Sequence, residues 1–344
     1  MRTIPVFHCF DHQYVLPAAV AFQSMLEHAK SLDTIYELYV VGRDLTDEDR
    51  NVLGRIVAAF PQAILTFLEP PELGDFANQA TGSRHWNPVL TVDLFYKLAV
   101  PELMLAHGIV IVADVDVVYC DDIAKVFECL VAEDDVYVAG GRDLAYARWR
   151  HEGLYLDGHP SMSRYFKLYS HEERSRQLLN AGLMVFNCRK LREDGIPERW
   201  RQWACSNVRR LILPEQDIIN QVCSPRLRAL PWNHMAIASA YGDYIKMNER
   251  QRAENPIWDE MFAHPVQIHY ASGVKPWKFP GSPKADLWFD ACVRARLIEN
   301  WRQWYGDYSR VQTEWALAKS VLSCRMTWGR RWFGVQVVKG KSSK

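Results

Sequence analysis

The sequence has no excess of charge of either sign: 41 lysines and arginines stand against 41 aspartates and glutamates in 344 residues. With no net field to gather a phosphate backbone, no nucleic-acid partner is expected. No apolar run approaches the ~20 residues that span a bilayer, and the longest central run is cut by Asp114. The start, Met1-Arg2-Thr3-Ile4-Pro5, lacks the apolar core and small-residue cleavage site of a secretory leader, so a cytoplasmic protein is the expectation. The eight cysteines have no C-x-x-C spacing; they read as small core residues rather than as a zinc site or a disulfide frame. There is no internal repeat and no low-complexity segment. What is present suits a globular protein, 49% hydrophobic and 24% charged, long enough to enclose one large α/β core or two smaller ones.

Periodicity gives an alternating order. Ile4 to Phe10 reads as a buried strand, broken by the polar turn Asp11-His12-Gln13-Tyr14 before an apolar helix opened by Pro17. Ile35 to Val41 is a second strand. Thr46, with Asp49 three residues on, has the form of a helix cap, and Ile64 to Leu68 is a third strand. A helix over Val92 to Met104 leads into the strand Ile109 to Ala113. Further strands are expected at Val136 to Ala139, Leu183 to Phe186 and Gln267 to Tyr270. The segment from Arg142 to Ser175, with little periodicity, reads as loops and short helices over the site. The order predicts an α/β fold of Rossmann type with a mostly parallel central sheet, whose ligands sit beyond the carboxyl ends of the strands.

At one such end stand Asp114 and Asp116, a D-x-D pair whose carboxylates point to one side and repel unless a cation joins them. A hard divalent ion would do so; capping of the following turn would also explain them, and the pair alone leaves both readings open. His269 closes another strand, with Lys275 six residues later in a loop shaped by Gly273 and Pro276. An imidazole suits manganese among the oxygen-seeking metals, although a lone histidine is as readily structural. Asn180-Ala181-Gly182 is read as preceding the strand at Leu183, where the amide could face a ligand and the glycine permit close approach. Glu215-Gln216-Asp217 opens a helix, where a cap is the plainer reading.

Taken in order, these elements resemble family 8 of the retaining glycosyltransferases. The resemblance runs from Ile4 to Trp277 and rests on Asp11-x-x-Tyr14, Phe95-Tyr96-Lys97-Leu98, Asp114-Val115-Asp116, Asn180-Ala181-Gly182, Glu215-Gln216-Asp217-Ile218-Ile219-Asn220, and His269 with Lys275-Pro276-Trp277. It implies a GT-A fold and transfer of glucose or galactose from UDP-glucose or UDP-galactose to an oligosaccharide or lipid-linked glycan, as in lipopolysaccharide synthesis. By this resemblance Asp114, Asp116 and His269 hold Mn2+ or Mg2+ against the UDP diphosphate, and Lys275 also binds that diphosphate. Asp11 and Tyr14 contact the uridine and Lys97 reaches the donor. Asn180, Glu215 and Gln216 hold the transferred sugar, and Gln216 and Asp217 are the groups nearest the reacting carbon. Gln13, Glu215 and Ser272 depart from the usual Asn, Asp and Gly, which leaves the sugar and the local loop path open.

Two rivals remain at this stage. A non-catalytic UDP-sugar-binding protein would share the whole motif set, and a phosphohydrolase of the haloacid dehalogenase type also places D-x-D after a strand. The expected domains are a catalytic unit over residues 1–285 and a helical extension over 286–344. After Glu314 the extension has no acid but has Lys319, Arg325, Arg330, Arg331, Lys339, Lys341 and Lys344 among Trp315, Trp328, Trp332 and Phe333. Such a segment can rest on an anionic membrane surface; a solvated tail is the other reading.

Overall fold

Apolar residues at every position of Ile109–Ala113, and through Ile4-Pro5-Val6-Phe7 in the middle of Arg2–Cys9, call for strands covered on both faces. In the computed structural model they lie side by side at the centre of a seven-stranded sheet. The structure describes residues 2–313 except 32, 74–91, 133, 145–177, 209–210, 212, 225, 255 and 272. Most of the segment expected over the site, Ser272, and the tail from Glu314 onward lie outside the described residues.

Strands β1 (Arg2–Cys9), β2 (Thr34–Val41), β3 (Ala63–Leu68) and β4 (Ile109–Ala113) are parallel, in the order β3-β2-β1-β4. The smaller β5 (Val117–Tyr119) follows β4. Beyond β4 the sheet continues through β7 (Leu179–Asn187), β6 (Val138–Arg142) and β8 (Leu227–Ala229). Only β7 runs against its neighbours, being antiparallel to both β4 and β6. The sheet is therefore mostly parallel, as the alternating pattern predicts.

This direction of β7 shapes the site. The chain leaves β1 toward β2 and β3, then returns to β1's other side, so a crevice opens at the carboxyl ends of β1 and β4. Because β7 runs the opposite way, its first residues, not its last, meet that edge, whereas β6 again ends there. Asp11, Asp114, Asp143 and Asn180-Ala181-Gly182, far apart in sequence, thus share one rim. A second sheet, β5-β10-β9, is built from three-residue strands: β10 (Gln267–His269) is antiparallel to β5 and parallel to β9 (Met235–Ile237). His269 faces Val117 in that register.

Helix α1 (Val15–Glu27) follows a 3-10 turn, His12–Tyr14, whose cap is Asp11. Helix α2 (Asp47–Val57) begins with the reciprocal cap expected of Thr46 and Asp49. Helices α3 (Ile196–Asn207) and α4 (Pro214–Cys223) bury Trp200, Ile218 and Ile219 against Phe95, Val110, Val112 and Phe186. Helix α5 (Ala285–Arg294) packs on α1, with Arg294 Nε 2.9 Å from Glu27. These contacts lie within one compact unit, residues 1–297. Residues 298 onward form a second unit, whose described part, 298–313, is helical. There Trp301 stacks on Tyr305 and Trp304 on Tyr308.

Two local expectations need correction. The helix over Val92 to Met104 is a 3-10 run, Val92–Ala99, followed by a short α-helical turn, Val100–Leu103. Pro101 has no N–H for the carbonyl of Lys97, so a continuous α-helix breaks there. Asn180-Ala181-Gly182 does not precede its strand but lies inside β7, because pairing with β6 begins at Leu179, opposite Arg142. The described cysteines are free thiols, as their spacing suggests.

Candidate active site

Asp114 leaves β4 with its backbone N–H donating to Gly182 O at 3.0 Å, which ties the strand end to β7. Two residues later, Asp116 accepts through its backbone carbonyl from Tyr270 N at 2.9 Å, which brings the end of β10 alongside. His269 Nε2 then lies 3.5 Å from Asp114 Oδ2 and 3.2 Å from Asp116 Oδ1. One ligand atom from each of the three can be chosen so that all lie within 4.8 Å of one another. His269 stands where it does because residue 182 is glycine. A Cβ there would lie 2.3 Å from the imidazole Cε1 and 2.4 Å from Nδ1. Gly182 therefore admits the histidine ring.

Two lysines balance the carboxylates. Lys97, only 1% exposed, places Nζ 2.5 Å from Asp114 Oδ1 and 3.1 Å from both Glu215 Oε1 and Ala181 O. Burial alone would push its pKa down; the charges of Asp114 and Glu215 outweigh burial and hold the ammonium above the usual lysine range. Lys275 contacts Asp116 Oδ2 and donates to Tyr270 O at 2.7 Å. Burial would raise the Asp116 carboxyl, but Lys275 and His269 hold it below the ordinary carboxylate range. Beneath the pair, burial pulls His8 down to about 4. It is a neutral ring at physiological pH, with Nδ1 2.9 Å from the last carbonyl of β4, Ala113 O.

A second polar chain runs from the same edge. Gln216 Oε1 accepts from Ala181 N at 3.0 Å, and its Nε2 donates to Asp143 Oδ2 at 2.8 Å. Asn180 Oδ1 accepts from Gly182 N at 2.8 Å, and Asn220 clamps Leu179 through both its N–H and its carbonyl. Asp217 is fully buried and accepts from Leu213 N at 3.0 Å, at the start of its own helix. On the other side Asp11 accepts from Gln13 N at 3.1 Å. Tyr14 meets Trp277 edge-on with centroids 5.9 Å apart, so the turn after β1 touches the loop that carries Lys275.

The structure thus brings Asp114, Asp116, His269, Lys97, Glu215 and Lys275 into one cluster, and Gln216 joins it through Ala181. Tyr14 borders it through Trp277, Asp11 caps the turn that carries Tyr14, and Asn180 sits one residue from Ala181. Asp217 turns back to the helix start. Asp143 was missed in the sequence, where it falls at the opening of an irregular stretch. It carries the same signal as Asp114, an acid following a short buried strand.

A doubly wound sheet with one reversed strand and an acidic, lysine-backed centre at its switch point defines a GT-A glycosyltransferase. The chain belongs to glycosyl transferase family 8, whose sequence model matches residues 5–280. Family membership sets aside the phosphohydrolase reading. No curated protein matches the chain in sequence. Among solved structures it is similar to the galactosyltransferase LgtC in complex with donor and acceptor sugar analogs, at 16% identity and a TM-score of 0.64, covering 85% of this chain and 96% of that one. It is also similar to the apo bifunctional glycosyltransferase WbbM, at 19% identity and a TM-score of 0.63 over 84% of this chain and 49% of that one, so it spans about half of that protein. GlyE of Streptococcus pneumoniae TIGR4 gives 16% identity and a TM-score of 0.59, over 90% of this chain and 64% of that one.

Proposed function

We propose that the chain moves a hexose, glucose or galactose, from a UDP-sugar to a saccharide acceptor, with retention of anomeric configuration and dependence on manganese. The observation that carries this reading is the cluster of Asp114, Asp116 and His269 backed by Lys97 and Lys275. Two carboxylates and an imidazole form the mixed oxygen and nitrogen set that suits manganese. When bound, such an ion neutralises charge developing on a departing diphosphate.

The chain's own groups divide the remaining work. Lys97 orients Asp114 and Glu215, and Lys275 supplies a second positive charge to the leaving diphosphate. Asp11 and Tyr14 take the uridine; Asn180, Glu215 and Gln216 hold the transferred sugar. Gln216, pinned between Ala181 N and Asp143, is a positioned amide and a poor nucleophile. The carboxylate of Asp217 is buried and bonded to Leu213 N. Neither supports a covalent intermediate, so the acceptor hydroxyl attacks on the face the diphosphate leaves, and a diphosphate oxygen takes its proton.

The acceptor reading is a glycan of the cell surface, such as growing lipopolysaccharide core, reached from the inner face of the membrane. Among the described residues no helix is long and apolar enough to cross a membrane. The aromatic residues of 298–313 and the cations after Glu314 support a peripheral contact instead. UDP release from a panel of UDP-sugars with manganese tests the reading: release from one hexose donor, abolished by chelation, is the expected result. UDP binding without turnover of any donor would favour a sugar-nucleotide sensor.

A further inference from the structure

Arg142 is the last residue of β6 and stands on the rim that holds the candidate active site. Strand β6 is two positions from β4 in the sheet, about 10 Å at the usual strand spacing. That is the span of a transferred hexose and the ring that receives it. The neighbouring Asp143 is the residue bonded to Gln216, so Arg142 borders the sugar-holding end of the crevice rather than the diphosphate end.

Its guanidinium is held from two sides. Nε donates to Leu230 O at 3.1 Å, and the plane lies over the Trp232 ring, 4.7 Å from the centroid. Trp232 leads into β9, which lies beside β10 and His269. Trp232 is itself buried, which fixes the platform. Among the described residues neither terminal nitrogen has a hydrogen-bond partner and no carboxylate is within ion-pair distance of Arg142. Asp143 accepts from Gln216, and Glu260, whose charge acts on the guanidinium from beyond ion-pair distance, accepts from Trp232 N at 3.2 Å. A part-buried arginine, stacked and oriented, whose terminal nitrogens have no partner among the described residues, offers a planar fork matched to a carboxylate or phosphate.

We propose that Arg142 recognises an anionic substituent, a phosphate or a carboxylate, on the saccharide acceptor. The proposal rests on the glycosyltransferase reading and adds the chemical class of the acceptor, with Arg142 as a specificity-determining residue and Trp232 as its support. No bond forms or breaks at Arg142.

The test uses the full chain, manganese, the active UDP-sugar and three matched acceptors: a neutral oligosaccharide, its phosphorylated form and its uronic acid form. UDP-sugar hydrolysis without acceptor is followed in parallel. The native protein should prefer an anionic acceptor over the neutral one by about tenfold or more in kcat/KM, the scale of a charge-assisted bond, and added salt should erode the preference. The phosphorylated form being preferred assigns a phosphate, and the uronic acid being preferred assigns a carboxylate. Arg142→Gln should raise KM for the anionic acceptor by the same factor and change KM for the neutral one by less than about twofold, with kcat little altered. Arg142→Lys, which keeps charge without the fork, should fall between. Equal use of all three acceptors by the native protein would overturn the proposal even if both variants failed to fold. Equal KM changes across the acceptors in Arg142→Gln would also overturn it. Absence of both transfer and donor hydrolysis would sink the parent reading and this proposal with it.

Discussion

Replacing Lys97 with Met tests whether the buried cation holds the site together. Met keeps the straight stem and most of the volume, so little cavity cost enters. What is lost is the ammonium 2.5 Å from Asp114 and 3.1 Å from Glu215, at a residue 1% exposed. Two acids then face each other without their cation. Breaking a buried pair from one side costs about 3–5 kcal/mol. For a large domain each kcal/mol moves Tm by roughly 2–4 °C, so Tm should fall by roughly 6–20 °C. Urea unfolding followed by tryptophan fluorescence measures the difference. The pH dependence follows from the raised pKa of Lys97. A base raised in the folded state contributes fully below its unfolded value, ~10.4, and loses that contribution only as pH climbs through the higher folded value. The gap between native protein and variant should therefore be flat from about pH 6 to about pH 9. Adding Glu215→Leu should recover part of the loss, because removing both partners is far cheaper than stranding one. A deficit below about 1 kcal/mol, the value of a solvated surface pair, would refute the argument.

Gly182→Ala places a methyl 2.3 Å from the His269 ring. Manganese affinity, read by electron paramagnetic resonance of the free ion, should weaken by roughly 10- to 100-fold, whereas unchanged affinity would show that His269 is not a ligand. Asp217→Asn puts an amide where a buried carboxylate accepts from Leu213 N; stability should drop by about 1–3 kcal/mol while kcat stays within about threefold and no covalent adduct forms. A loss of roughly a thousandfold in kcat at unchanged stability would instead make Asp217 the nucleophile. His12 Nδ1 lies 2.8 Å from Asp49 Oδ2, and that bond raises the imidazole pKa. The pair stabilises below the unfolded histidine value of ~6.5 and fades as pH rises through the folded one. His12→Ala should therefore cost under about 1 kcal/mol near pH 5.5 and nothing near pH 8.5; a deficit larger at the higher pH would contradict the assignment. Removal of Trp315 to Lys344 should release the protein from membranes with donor hydrolysis intact, and unchanged fractionation would rule out the peripheral contact.

The parts of the fold that were legible in the sequence are those whose signal is local. Ile109–Ala113 is apolar throughout because both its faces are covered, and its end is marked by the first charge the chain meets, Asp114. The Thr46 and Asp49 cap needs only four residues to declare itself. In the second sheet only β10 declared itself, as the run from Gln267 to Tyr270; β5 and β9, three residues each, are shorter than any period and show only through their pairing with β10. The reach of β7 back to Leu179 depends likewise on partners on both sides. The site divides in the same way. Asp114, Asp116 and His269 were visible as residue types at strand ends, but their union depends on Gly182 leaving room for an imidazole that enters from a strand far later in the chain. Asp143 carried a readable local sign, yet its meaning came only through the Gln216 amide, which links β6 to α4 across the crevice. Arg142 had no sign at all, since an arginine before an irregular stretch looks like solvent-facing charge until Trp232 is found beneath it. Chemistry that resides in a residue type survives in one dimension, whereas chemistry that resides in the absence of a partner, or in a glycine making room, appears only once the chain has closed on itself.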